Sequence, residues 1–324
     1  MLAPCHGTMA RPHYTDDTFG RLHPQPLVAG LIRSTPEDFI VIEHLPFELN
    51  GEGEHAYVEI EKRNANSGWV SHQLAEFAGI RDVDVGFAGR KDRHALTRQW
   101  FSLYLPGRPD PDWSKLDIEG VKLLSANRHT SKLRRGDIRC NEFRIIVRHD
   151  LLSDSSASDL LVRLEAVATH GVPNYFGSQR FGRDGENLER ADRFLRLREK
   201  APRNKGMLIS AARSWLFNGY LSYRMQSADS LAEEQGPLIG KSRDPQPGEE
   251  RFDDIEQAWA EGIRRHGTRV DQRALMVVPG DMSWEFDAKQ TTLHFSLPAG
   301  SFATSVLREL FLVEDVSIRR AGDV

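Results

Sequence analysis

The chain has 324 residues, 39% of them hydrophobic and 28% charged, enough to bury a core across two domains without covalent staples. A formal net charge of −4 excludes a uniformly basic nucleic-acid coat protein, so any RNA site must be a local basic patch. Two cysteines, Cys5 and Cys140, exclude a secreted disulfide framework and point to a reducing cytoplasm, and no run of about 18 apolar residues predicts a membrane span.

Residues 1–28 read as a loose leader. They lack the apolar core of a signal peptide and the basic cluster of a transit peptide, and Met9 is a second candidate start. Residues 39–45 (FIVIEHL) and 55–63 (HAYVEIEKR) alternate apolar with polar, the period of half-buried strands, with Gly51-Glu52-Gly53 as the turn between them. Residues 69–78 (WVSHQLAEFA) have helical spacing, and Gly79 can cap their end. Strands are predicted over 83–88, 100–105, 120–126 and 143–148. Beyond about residue 150 the pattern becomes helical. Helices are predicted over 155–168 (N-capped by Ser155 or Ser156), 187–200, 205–225 and 253–265. The acidic, Gly- and Pro-rich stretch 227–250 reads as an exposed loop. Strands return at 275–278, 283–287 and 291–297, and a helix follows at 301–311.

Strands, then helices, then strands predict an α+β protein in which a mostly helical block interrupts a sheet-based domain. The expected boundaries are 1–170 with 281–324 for the sheet domain and 171–280 for the block.

The most informative segment is GFAGRKDRHALTRQW, residues 86–100. It places Asp92 in a loop after a strand, between Lys91 and Arg93. Nearby positive charge favours the carboxylate anion, which can act as nucleophile or base. The same cations could grip the phosphates beside a target nucleotide. By itself such a triplet also fits a solvated turn.

This segment resembles the signature loop of the TruD family of tRNA pseudouridine synthases. So do Pro36-Glu37-Asp38-Phe39 with Val41 and Glu43, then GEGEH (51–55), KLRRGDIRCNEF (132–143), GVPNYFGSQRFG (171–182), SAARSWLFN (210–218) and LPAGSFATSVLREL (297–310). The blocks fall in family order and span residues 29–310. The resemblance implies a pseudouridine-synthase-type catalytic domain with a mixed, largely antiparallel sheet. A mostly helical TRUD domain would be inserted at 171–280.

It also implies a cytoplasmic enzyme, expected to be a monomer, that isomerises a uridine of tRNA (position 13 in bacterial members). The C1′–N1 bond breaks and the base rejoins through C5, with no metal or small-molecule cofactor. Asp92 would be the catalytic residue, either attacking C1′ or removing a sugar proton. Phe39, Asn141 and Phe302 match positions that contact the substrate. Asn141 could donate and accept at the uracil edge, and Phe143 packs close by or belongs to the core. The base must be extruded to react, and an aromatic ring can replace its lost stacking. Basic residues Lys132, Arg134 and Arg135 with His129, and Arg180 and Arg183 farther on, are candidates for the RNA backbone alongside Lys91 and Arg93.

Three departures stand out. Arg33 sits where the family can carry a lysine close to the aspartate. Arginine keeps the charge but not the geometry, so no catalytic role is assigned to it. Asn66-Ser67 replaces an Asn-Thr, and residues 226–250 look short, as if a hairpin had been lost. A metal site at His55, His94, Glu52 and Glu54 is rejected for want of ligand spacing, and Cys140 as nucleophile for want of a base. Gly51-Glu52-Gly53 lacks the Lys-Ser/Thr of a phosphate loop. Two other functions stay open: an RNA-binding protein without modifying activity, and a nucleoside glycosidase, which would need a second carboxylate.

Overall fold

The structure, a computed structural model, describes residues 18–150, 153–227 and 231–317. Cys5, Met9 and most of the expected leader lie outside these residues. The chain divides into two compact units. Among the described residues, one comprises 26–150, 153–170, 278–303 and 310–317, and the other 18–25, 171–227, 231–277 and 304–309.

The first unit is built on a mixed ten-stranded sheet. Its strands are β1 (Ala29–Ile32), β2 (Phe39–His44), β3 (His55–Arg63), β4 (Val85–Gly86), β5 (Leu96–Tyr104), β6 (Val121–His129), β7 (Cys140–His149), β8 (Gly280–Phe286), β9 (Gln290–Pro298) and β10 (Leu312–Asp315). The central order is β8-β9-β7-β2-β5-β3-β6. Most pairs are antiparallel, but β2 runs parallel to β5 and β1 parallel to β10. In β7, Asn141 lies opposite Glu43 of β2 on one side and Leu297 of β9 on the other.

Alternation sorts the faces. Ala56, Val58 and Ile60 of β3 join Phe101 and Leu103 of β5 against helix α1, Ser67–Ala78. The opposite face of β3 carries Tyr57, packed with Leu133 and Ala88. Helix α1 starts where the side chain of Asn66 accepts from the Trp69 N–H, and ends at Gly79 in the left-handed conformation (φ 61°), as its sequence predicts. A second helix, α2, spans Asp154–His170.

The other unit is mostly helical. Helices α3 (Glu186–Leu195), α4 (Lys205–Ser227) and α5 (Asp254–Arg265) surround a core that includes Leu188, Leu216, Phe217, Trp259 and Ile263. The Trp259 indole N–H donates to Asp192 at 2.8 Å. Two short antiparallel ladders complete the unit: Val172–Pro173 with Met276–Val277, and Gln235–Leu238 with Asp271–Ala274. Residues 304–309 belong to helix α6, Ala303–Leu310. Among the described residues no helix is long and apolar enough to cross a membrane.

Several expectations are corrected. Phe19, expected in a loose leader, is buried in the helical unit, with its ring centroid 5.7 Å from that of Tyr175 and 5.1 Å from that of Trp215. The stretch 227–250 is not wholly exposed loop. It contains the strand Gln235–Leu238 and buries Ile239, Gln246 and Glu249. Gly236 permits this, because a Cβ there would lie 2.7 Å from Leu275, 2.9 Å from Tyr220 and 3.0 Å from Phe217. The helix predicted to 200 stops at Leu195, and Arg198 turns left-handed at φ 58°.

Candidate active site

The loop between β4 and β5 carries Asp92, and three side chains hold its backbone. The Gln99 amide donates to the Gly89 carbonyl at 2.5 Å. The Ser67 hydroxyl accepts from the Lys91 N–H at 2.9 Å and donates to Gln99 at 2.7 Å. The Lys62 ammonium donates to the carbonyls of Asp92 at 3.2 Å and Ala65 at 2.7 Å. The Asp92 side chain folds back to accept from the His94 N–H at 2.9 Å, an Asx-type turn that fixes its rotamer.

The cation that meets this carboxylate is Arg33. Its Nη2 lies 2.9 Å from Asp92 Oδ2, and its Nη1 lies 2.5 Å from Asp315. The Arg33 side chain is 3% exposed, and its guanidinium sits 4.0 Å above the ring centroid of Phe39. One planar fork thus bridges two carboxylates while stacking on an aromatic face, which a lysine could not do in the same way. Arg33 has a positive φ of 58°, rare for a residue with a side chain, and it is fixed there by both ion pairs.

Lys91 and Arg93, expected to flank and hold Asp92, point elsewhere. Lys91 is buried in an ion pair with Glu43 at 2.8 Å and also donates to the Asn141 amide oxygen. Burying a lone Glu43 charge would be costly, so the lysine is committed to it and is not placed for a phosphate. The second oxygen of Glu43 accepts from the Trp100 N–H at 3.2 Å, which closes the network onto β5. Arg93 is exposed and donates to the Asn64 carbonyl at 3.3 Å.

The remaining candidates divide by place. Phe39 meets Phe143 edge-on at 6.3 Å, and Phe143 stacks on Phe295 at 5.3 Å. Phe39 therefore lies beside the Arg33–Asp92 pair, while Phe143 belongs to the buried row across β2, β7 and β9. Asn141 joins the site through Lys91. Phe302 follows β9 and is partly buried.

The basic loop after β6 lies along the Asp92 loop, with the Gly136 N–H donating to the Ala88 carbonyl at 2.9 Å. In that loop Arg134 and Arg135 are exposed, while Lys132 donates to the Val83 carbonyl at 2.6 Å. His129 stacks on Phe47 at 4.7 Å. Arg180 and Arg183 belong to the helical unit. Arg180 is half-buried over Phe176 and against Ser210, and burial pushes its pKa down, whereas Arg183 is exposed.

The sequence reading missed Glu43, Lys62 and Asp315 as site residues and set Arg33 aside. Two of them left a signal. Glu43 extends the apolar parity Phe39, Val41, and Lys62 extends Ala56, Val58, Ile60. A charge on the inward parity of a strand is rare without a partner.

The family model described as tRNA pseudouridine synthase D matches residues 21–189 and 250–310. The chain is similar to the tRNA pseudouridine synthase D of Cellvibrio japonicus, at 42% identity over 90% of this chain and 91% of the relative. It is also similar to that of Nitrosococcus oceani, at 39% identity over 90% and 92%. A crystal structure of a TruD-type protein from Methanosarcina mazei shares the fold, with a TM-score of 0.63 at 19% identity over 90% of this chain and 95% of that one. The chain belongs to the TruD family of tRNA pseudouridine synthases.

Proposed function

We propose that this protein isomerises a uridine of tRNA, at position 13, to pseudouridine, with Asp92 as the catalytic carboxylate. The observation that carries the reading is the Arg33–Asp92 pair at 2.9 Å, on a loop whose backbone is held at Gly89, Lys91 and Asp92. The reaction needs one preplaced carboxylate at the sugar of an extruded nucleotide. Holding a reacting group in the right geometry can supply about 7–11 kcal/mol of the barrier, and the base must be extruded to meet it.

Asp92 acts at the ribose, either bonding to C1′ as the C1′–N1 bond breaks or removing a sugar proton to the same end. The freed uracil turns and C5 bonds to C1′ as the Asp92–C1′ bond breaks, or, in the other route, as Asp92 returns the proton to the sugar; the C5 proton leaves and N1 gains one. Atoms balance within the nucleotide, so the isomerisation itself consumes no co-substrate. Arg33 orients the carboxylate and shields it from Asp315. Phe39 is 4% exposed and carries Arg33 on one ring face, so partly exposed Phe302 is the ring with more surface left for stacking. Lys91 holds the Asn141 oxygen, which leaves the amide NH₂ as the group presented to a uracil carbonyl. Exposed Arg93, Arg134 and Arg135 are the cations suited to flanking phosphates.

In this reading the sheet unit is the catalytic domain and the mostly helical unit is the inserted TRUD domain. The enzyme works in the cytoplasm, where its substrate is. Incubating the protein with unmodified tRNA and mapping modified uridines tests the proposal. One new pseudouridine with no free uracil is expected. Binding without modification would mean an RNA-folding role instead, and released uracil would mean a glycosidase.

A further inference from the structure

Lys62 stands at the inward end of β3 with 0% exposure. Its ammonium joins two pieces of backbone, the Ala65 carbonyl at 2.7 Å in the turn before α1 and the Asp92 carbonyl at 3.2 Å. The other two props of the loop, Ser67 and Gln99, are uncharged. A fully buried charge is costly where a hydrocarbon of equal length would fill the space. What Lys62 serves here is the pair of carbonyls and the negative charge of Asp92. The ladder neighbours of Lys62, Thr97 on β5 and Val121 on β6, carry no charge. Of the loop's charged groups, Asp92 favours the ammonium and Lys91 opposes it.

We infer that Lys62 is a positioning residue for the isomerisation: its ammonium fixes the backbone of Asp92 and supplies a second positive charge beside it, independent of Arg33. This rests on the assignment of Asp92 as the catalytic group. Charge-assisted hydrogen bonds are about twice as strong as neutral ones, so a neutral amine is a weaker tie. Burial pushes the Lys62 pKa down to about 8, which brings loss of that charge within reach of an ordinary pH titration. The sign separates this from unfolding. The folded state holds the proton less tightly than the unfolded chain, so this group makes the fold more stable as pH rises above about 8, while the tie to Asp92 weakens.

The test is single-turnover pseudouridine formation on saturating unmodified tRNA, from about pH 6.5 to 9.5, for wild type, Lys62→Met and Lys62→Gln. Dissociation constants for tRNA and thermal melts are measured alongside. The wild-type rate should fall as pH passes about 8, with no loss of folded protein. Lys62→Met should be about 10- to 100-fold slower at neutral pH, bind tRNA within about twofold, and lack that fall. Lys62→Gln, which keeps N–H donors but no charge, should resemble Lys62→Met.

A merely structural lysine would lower the folded fraction and leave the pH profile of the active protein unchanged. A wild-type rate that stays level through about pH 9, or a Lys62→Met rate equal to wild type or with the same alkaline fall, overturns the inference. Should both variants fail to fold, the wild-type profile and melts still decide. Asp92→Asn separates the two readings. If it stays active, the functional proposal fails. If it is inactive while Lys62→Met is unaltered, only the role of Lys62 fails.

Discussion

Replacing Arg33 by methionine tests how Asp92 is held. The substitution keeps most of the stem and removes the guanidinium that lies 2.9 Å from Asp92 and 2.5 Å from Asp315. It also removes the cation 4.0 Å over Phe39. Taking one partner from a buried ion pair costs about 3–5 kcal/mol when the remaining charge is sealed in. Here the two carboxylates keep side-chain exposures of 21% and 18%, so water repays part of the loss. The lost cation–π contact adds about 1 kcal/mol. A net destabilisation of about 2–3 kcal/mol is expected, read by urea unfolding of the sheet unit.

Activity should suffer to a comparable degree. Asp92 loses the guanidinium 2.9 Å from Oδ2 and keeps the His94 N–H on Oδ1, so it is held less firmly, a misplacement that can cost about 100-fold in rate. Arg33→Lys should recover part of both, because one ammonium cannot bridge two carboxylates and stack at once. An Arg33→Met protein with wild-type turnover would refute the reasoning, since Asp92 would then need no cationic support from Arg33.

Glu43→Gln should strip buried Lys91 of its counter-ion while the Lys91–Asn141 bond remains, destabilising by about 2–3 kcal/mol and raising KM more than Arg93→Ala does, as steady-state kinetics would show. Gly86→Ala should lower the melting temperature clearly, because its Cβ would lie 2.3 Å from the Leu133 carbonyl and 2.7 Å from the Ser102 hydroxyl. Tyr57 should be a late-titrating phenol in an ultraviolet titration, since burial, with Asp137 adding to it, pushes its pKa up to about 12. The folded state holds that proton more tightly than the unfolded chain. The stability it contributes is therefore complete below about pH 10 and lost as pH rises through about 12, which unfolding at graded pH would show.

Period and punctuation made much of the frame readable from sequence. Alternation marked β2, β3 and β7, and helix α1 followed from its spacing and from Gly79. The pairings of β1 with β10 and of Gln235–Leu238 with Asp271–Ala274 were not readable. These are four-residue strands whose partners lie far along the chain, so their stability comes from tertiary contact rather than local pattern.

The site shows the same division. Asp92 was legible as a motif, whereas Arg33 was placed near it only through the family resemblance and given no catalytic role, because it is remote in sequence and reaches Asp92 only once β1 has joined the sheet. Neighbours in sequence were poor guides to contact. Lys91 and Arg93 flank Asp92 in the chain, yet one turns to Glu43 and the other to the Asn64 carbonyl. A buried charge on the apolar parity of a strand, as at Glu43 and Lys62, was the more informative signal.

The central claim is most directly tested by comparing wild type with Asp92→Asn in single-turnover pseudouridine formation on unmodified tRNA, with tRNA affinity measured in the same preparations. Loss of activity by about 1,000-fold or more with affinity kept within a few-fold is the predicted result. Pseudouridine formed by Asp92→Asn at the wild-type rate would contradict the account.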